Sequence, residues 1–112
     1  MNVEFKSKKL RKQCEDPKIA QKEFGIEMAN ILTQRVGELI AATSLLDIRN
    51  IPSARLHKLQ GDRCNEYAVD LVHPFRLVFK PVLKRKDDIN DLKSIDSICI
   101  EEVVDYHGKQ KK

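Results

Sequence analysis

The sequence predicts an α+β domain in which a short N-terminal strand and two helices pack on one face of an antiparallel sheet. Two observations support this fold class. Apolar residues recur every three or four positions in the first half of the chain, and from about residue 53 they alternate with polar residues. The chain has 112 residues, 41% hydrophobic and 34% charged, so we expect one domain, residues 1–112, with a basic tail at about 108–112.

The chain begins with signals for a strand and a first helix. Val3-Glu4-Phe5 alternates apolar and polar side chains, which predicts a short strand. Ser7 follows and is placed to cap a helix by accepting a hydrogen bond from an early backbone N–H. Leu10 and Cys14 lie four positions apart and therefore share one face of that helix.

The second helix is expected to start at Asp16-Pro17, where the acid is the N-cap and the proline occupies the first helical position. Its apolar stripe consists of Met28, Ile31, Leu32, Val36, Leu39 and Ile40. Gly25 is expected either to bend this helix or to delay its regular start. We expect residues 44–52 to form a connector, because Pro52 stops any helix from continuing.

A β-hairpin is predicted from two alternating segments that flank a loop at residues 72–74. With a loop of this length, all apolar side chains of the two segments share one face of the sheet. The resulting pairs are Tyr67 with Phe79, Val69 with Leu77 and Leu71 with Phe75. A two-residue loop would set Asp70 beside Leu77 and mix the two faces, so the sequence favours the longer loop.

The remainder of the chain is expected to contain a charged, exposed excursion at residues 84–94 and a last strand from about Ser97 to Val104. The three cysteines, Cys14, Cys64 and Cys99, are odd in number and widely spaced, so we interpret them as reduced thiols. No Cys or His spacing is typical of a zinc site, and no metal or cofactor is expected.

Charge and hydropathy limit the partners only broadly. A net charge of +4 and a pI near 9.0 fit binding to RNA or to an acidic protein. No apolar run approaches the roughly 20 residues that span a bilayer, and the start of the chain lacks the apolar stretch of a signal peptide. We therefore expect a cytoplasmic protein without a membrane partner.

Arg76 is the first candidate for a functional role. Because Phe75 and Leu77 point toward the helices, Arg76 is predicted to point to the opposite face of the sheet. A guanidinium fixed on a strand binds phosphate in a bidentate manner and stabilises the charge that builds up during phosphoryl transfer. The alternative is a cross-strand ion pair with Asp70, which the hairpin register places opposite Arg76.

Two histidines are further candidates. His57 alternates with Leu56 and is therefore predicted to reach the same face as Arg76, whereas His107 follows Tyr106 at the end of the last strand. Histidine exchanges protons near neutral pH, so either side chain is a candidate acid or base. The alternative for each, which an isolated histidine on its own favours, is an ordinary surface histidine.

Three segments of the chain resemble one known family. They are Leu56-His57-Lys58-Leu59-Gln60-Gly61-Asp62-Arg63, Phe75-Arg76-Leu77-Val78-Phe79 and Val104-Asp105-Tyr106-His107. In order and spacing they are similar to the successive motifs of HigB-type toxins (plasmid maintenance killer protein-like) of the RelE/ParE superfamily of bacterial toxin–antitoxin systems. The resemblance covers most of residues 53–107 and implies a RelE-like fold.

The resemblance implies a ribosome-dependent endoribonuclease that cleaves translated mRNA without a metal or cofactor, by attack of a ribose 2′-OH on the adjacent phosphate. It places His57, Arg76, Asp105, Tyr106 and His107 in the catalytic site. It also implies a HigA-like antitoxin with a helix-turn-helix domain, through which the toxin would contact operator DNA indirectly. The direct partners of the toxin would be the antitoxin, the ribosome and mRNA.

One position departs from the family pattern. Many relatives carry lysine where this chain has Gln60, so a substrate-binding cation is missing, and Lys58 is the nearest candidate to replace it. The departure leaves an alternative open. The chain is then a non-catalytic binding toxin, such as a ParE-like inhibitor of DNA gyrase, or an inactive relative that acts through antitoxin binding.

Overall fold

The computed structural model describes residues 1–105 and has an α+β architecture, as the sequence predicts. Its strands are β1 Asn2–Phe5, β2 His57–Lys58, β3 Tyr67–Asp70, β4 Phe75–Pro81 and β5 Ser97–Asp105. Its α-helices are α1 Lys8–Glu15, α2 Pro17–Phe24, α3 Ile26–Ala41 and α4 Leu45–Arg49. Short 3₁₀ turns occupy Pro52–Ala54, Gly61–Arg63, Lys86–Asn90 and Leu92–Ser94.

The helical half differs from the expectation of two helices. Ser7 caps α1 and Asp16 caps α2, as predicted, through hydrogen bonds from the backbone N–H groups of Leu10 and Lys18. The predicted second helix, however, is divided into α2 and α3 at Gly25, whose φ of 84° is available to glycine and strained for other residues. The expected connector contains the short helix α4, which Ser44 caps.

The sheet is mixed rather than wholly antiparallel. Its strand order is β1-β5-β4-β3-β2, and β1 lies parallel to β5 while all other neighbouring pairs are antiparallel. The predicted hairpin register is confirmed, since Tyr67 pairs with Phe79 and Val69 pairs with Leu77. The loop at residues 72–74 is also confirmed by the hydrogen bond from Leu71 N to Phe75 O, 3.0 Å long.

The two faces of the sheet have different coverings. The face that packs against the helices carries large, fully buried side chains, namely Val69, Leu77, Phe79, Ile98 and Ile100. On the other side, which we call the outer face, a small buried cluster is formed by Leu59, Ala68, Val78 and Val104. Most of the apolar core therefore lies between the sheet and the helices.

The charged excursion at residues 84–94 is only partly exposed. Two of its apolar side chains, Ile89 and Leu92, pack against the main core. The hydroxyl of the buried Tyr67 donates a hydrogen bond of 2.6 Å to the carbonyl oxygen of Ile89. All three cysteines are unbridged, as expected. Within residues 1–105, none of the helices has the length and apolar character that crossing a bilayer requires.

Candidate functional site

Arg76 lies on the outer face, where the sequence places it. It pairs with Asp70 on β3 and with Val104 on β5, while its chain neighbour Leu77 is buried under the helices. Its Nε lies 3.6 Å from Asp70 Oδ1, so the predicted cross-strand ion pair is present. About a third of the Arg76 side chain (36%) is exposed.

Asp70 also binds a second arginine. Its Oδ2 lies 3.1 Å from Nε of Arg55, in the segment that precedes β2. One carboxylate thus contacts two guanidinium groups, through a different oxygen for each. The local charge of the three side chains is positive, which favours an anionic ligand at this position.

His57 shares the outer face because it pairs with Ala68 of the small buried cluster. Its Nδ1 lies 2.7 Å from the carbonyl oxygen of Arg55. Since a carbonyl oxygen only accepts, Nδ1 carries the proton of this hydrogen bond, and in the neutral ring Nε2 carries the lone pair. His57 Nε2 is buried and has no hydrogen-bond partner within the described part of the chain. The hydrogen bond from Nδ1 therefore leaves the lone pair of the neutral ring on a buried Nε2.

The register relates His57 to Arg76. His57 pairs with Ala68 on β3, and Arg76 pairs with Asp70 two residues further along the same strand. The two candidates flank β3 on the outer face. Two strand spacings combined with the two-residue offset along β3 place their backbones roughly 12 Å apart.

Lys58 and Gln60 lie elsewhere. Lys58 pairs with Tyr67, whose ring is in the main core, so strand alternation directs Lys58 to the face opposite Arg76. The expectation that Lys58 replaces the missing lysine beside Arg76 therefore disagrees with the register. Gln60 is exposed and immediately precedes the 3₁₀ turn Gly61–Arg63.

The last motif is described only at its beginning. Asp105 is the exposed final residue of β5 and pairs with Phe75, so alternation directs it away from the face of Arg76. Tyr106 and His107 lie outside the described residues. Their roles stay predictions that follow from the family resemblance.

Arg35 on α3 is a polar residue that the sequence argument missed. It is 5% exposed; its Nε donates to Asp70 O at 2.8 Å and its Nη2 donates to Ser53 O at 2.7 Å. Nη1 completes the arrangement with a 3.1 Å ion pair to Glu38. A signal was present, because positions 28, 32, 35 and 39 continue the helical spacing of the apolar stripe. A charged residue at such a position needs buried partners.

The opposite end of the outer face carries an acidic and basic network. Arg63 Nη2 lies 2.6 Å from Glu66 Oε1 and 2.6 Å from Glu102 Oε2. Glu102 pairs with Val78 on the neighbouring strand, so this network borders the small buried cluster. Among residues 1–105, no group of three or more His, Cys, Asp or Glu side chains is arranged to hold a metal ion.

Comparisons with known proteins add a likeness of fold. No protein-family model matches the sequence, and no curated protein matches it. The structure is similar to that of a YoeB/ParE toxin from Agrobacterium tumefaciens, with a TM-score of 0.45 and 12% identity over 94% of each chain. A likeness of this strength assigns neither a family nor an activity, so the functional argument depends on the residues of the site.

Proposed function

We propose that this chain is the toxin of a type II toxin–antitoxin system, a ribosome-dependent endoribonuclease that cleaves translated mRNA without a metal. The observation that carries the proposal is the placement of His57 and Arg76 on the outer face, on either side of β3. An oriented imidazole and an arginine are the groups that cleavage of RNA through its own 2′-OH requires. The HigB-type motifs around both residues support the same reaction.

In the proposed reaction, Nε2 of His57 accepts the proton of a ribose 2′-OH. The 2′-oxygen forms a bond to the adjacent phosphorus, the bond from phosphorus to the 5′-oxygen breaks, and the products are a 2′,3′-cyclic phosphate and a 5′-hydroxyl. Arg76 stabilises the negative charge that develops on the phosphate oxygens. His107 would protonate the leaving oxygen, with Tyr106 and Asp105 orienting the histidines.

The proposed partners follow from the same assignment. A HigA-like helix-turn-helix antitoxin would neutralise the toxin in the cytoplasm and connect it to operator DNA. Helix α1 presents four exposed basic side chains, Lys8, Lys9, Arg11 and Lys12. This basic surface fits either ribosomal RNA or an acidic segment of the antitoxin.

A second candidate is a non-catalytic toxin of the ParE-like, gyrase-inhibiting kind, or an inactive relative that acts through antitoxin binding. The contact between Asp70 and Arg76 favours it, because a carboxylate occupies the arginine that catalysis requires. The absence of a lysine at Gln60 points in the same direction.

Primer extension on a defined mRNA in a purified translation system tests the proposal. The purified protein is added with and without ribosomes, and the 3′ ends of the fragments are analysed for cyclic phosphate. Ribosome-dependent cuts with cyclic phosphate ends are the expected result. Intact mRNA together with arrest of DNA replication on expression would instead establish the gyrase-inhibiting alternative.

A further inference from the structure

We propose that Arg55 is a second phosphate-binding arginine of this site, and that Asp70 is the counter-ion that holds Arg55 and Arg76 until a phosphodiester of RNA replaces it. The inference rests on the proposed function for the identity of the anion. It adds a residue that lies outside the motifs on which the family resemblance depends, one position before Leu56-His57.

The carboxylate of Asp70 is shared by the side chains of Arg55 and Arg76. Arg55 Nε lies 3.1 Å from Asp70 Oδ2, and Arg76 Nε lies 3.6 Å from Asp70 Oδ1. An anion that takes the place of this carboxylate contacts both guanidinium groups at once. A phosphodiester has two unesterified oxygens, which match one contact to each arginine.

The two side chains of the Arg55–Asp70 ion pair differ in their exposure to solvent. The Arg55 side chain is 75% exposed, whereas that of Asp70 is 26% exposed. An exposed ion pair contributes little to stability, because water screens the two charges. Replacement of the Asp70 carboxylate by a substrate phosphate therefore sacrifices little free energy from the Arg55–Asp70 pair. The Arg55 side chain already lies beside Asp70 on the outer face.

The backbone of Arg55 lies in the left-handed region, with φ 48° and ψ 52°. Within residues 1–105 it is the single non-glycine residue with a positive φ. Such strain persists where the surrounding structure fixes it, and it is concentrated at functional sites. Here its carbonyl oxygen receives Nδ1 of His57, so one residue orients the candidate base and contributes a cation.

The buried side chain of Arg35 supports the segment that carries Arg55. Arg35 donates to the carbonyl oxygens of Ser53 and Asp70, which lie two residues before Arg55 and at the end of β3. A single buried guanidinium thus fixes the spacing between the chain segments that carry Arg55 and Asp70. The pair is held in register by the core rather than by its own surface contact.

The test measures RNA binding separately from cleavage. The probe is a single-stranded RNA decamer with 2′-O-methyl riboses, which cannot be cleaved, and binding is followed by fluorescence anisotropy at low salt. Arg55→Asn removes the guanidinium while retaining a residue that tolerates the left-handed backbone. Arg49→Asn, at an exposed arginine of α4, is the matched control for lost charge.

Arg55→Asn is expected to bind the decamer roughly tenfold more weakly, as for a lost charge-assisted hydrogen bond, and Arg49→Asn to bind within about twofold of wild type. Asp70→Asn is expected to bind about fivefold more tightly because the competing charge is gone, with Asp87→Asn as its exposed control. Wild-type affinity in Arg55→Asn, or weaker binding in Asp70→Asn, overturns the proposal.

Two readouts separate this inference from the function on which it rests. In ¹⁵N-labelled protein, the Nε–Hε signals of Arg55 and Arg76 are expected to shift when the decamer is added, and that of Arg49 to stay in place. If these shifts occur but ribosome-bound mRNA is not cleaved, the proposed reaction is wrong and the binding site stands. If mRNA is cleaved but the Nε–Hε signal of Arg55 does not shift when the decamer is added, the proposed phosphate-binding role of Arg55 is wrong.

Discussion

The two faces of the sheet are made by the same strands but have opposite properties. Toward the helices, β4 directs Leu77 and Phe79 into a continuous apolar core, and both are fully buried. Toward the outer face, the same strand carries Arg76 beside Asp70, with His57 across β3. Because side chains alternate along a strand, core residues and residues of the candidate site are separated here by one position. Substitutions at adjacent positions should therefore have effects of different kinds.

The largest expected effect is on the helix-covered face. Phe79→Ala should lower the free energy of unfolding by about 3–5 kcal/mol, since it deletes a fully buried aromatic ring. Urea unfolding followed by circular dichroism measures this loss. Lys80→Ala, at the exposed next residue, should stay within about 0.5 kcal/mol of wild type. Equal losses in both variants would mean that the two faces do not differ as described.

On the outer face, His57→Gln should reduce the rate of mRNA cleavage by about 10²-fold or more, because the glutamine amide cannot act as a base. Single-turnover cleavage on programmed ribosomes measures the rate. His73→Gln is the matched control, because His73 is exposed in the hairpin loop and has no role in the proposed reaction. A His57→Gln enzyme as fast as the control would exclude His57 as the base.

The next effect is a change in the pH dependence of stability, and it arises from Cys14 in the core. Burial, and secondarily the charge of Glu15, raises the pKa of the Cys14 thiol from 9.0 to about 12. A raised pKa in the folded state means that stability is complete below pH 9 and is lost as the pH rises from 9 toward 12. At pH 10 the loss from this group is on the order of 1 kcal/mol.

Urea unfolding of Cys14→Ala and wild type at pH 7 and pH 10 isolates this contribution. The variant should lose less stability between the two pH values than wild type does. Cys64→Ala, at an exposed thiol, should retain the wild-type difference. Identical pH dependence in wild type and Cys14→Ala would show that the Cys14 side chain of α1 is not buried.

The smallest expected effect is that of Tyr67→Phe, again on the core side. The substitution removes the 2.6 Å hydrogen bond to Ile89 O and should cost about 1 kcal/mol of stability. The cleavage rate of the folded variant should equal that of wild type. A rate as low as that of His57→Gln would contradict the separation of the two faces, because Tyr67 points away from Arg76.

The sequence was sufficient for those parts of the fold that depend on local patterns. The hairpin register followed from the period of two and the loop length, and the caps of α1 and α2 followed from Ser7 and Asp16. The parallel pairing of β1 with β5 was not foreseen, since it joins residues 95 positions apart and leaves no local signal. The break at Gly25 was anticipated as a possible bend, and the residue there has the positive φ that glycine adopts readily.

In the candidate site, too, local sequence patterns predicted some placements and not others. Arg76 and its partner Asp70 were placed correctly because alternation alone determines their face. Lys58 was expected near Arg76, and the register of the short edge strand β2 directs it to the other face. The contact of Arg55 with Asp70 depends on a left-handed backbone at a non-glycine residue, for which the sequence offers no signal.

The most direct test that the outer face carries the candidate chemistry rather than stability compares Arg76→Ala with Lys80→Ala, four residues further along the same face of β4. Each variant is measured both for single-turnover cleavage of ribosome-bound mRNA and for urea unfolding. Arg76→Ala should cleave about 10²–10³-fold more slowly than wild type. It should still unfold within about 1 kcal/mol of wild type, and Lys80→Ala should match wild type in both measurements. Wild-type cleavage by Arg76→Ala, or a loss of activity that only follows a loss of folding, would contradict the account.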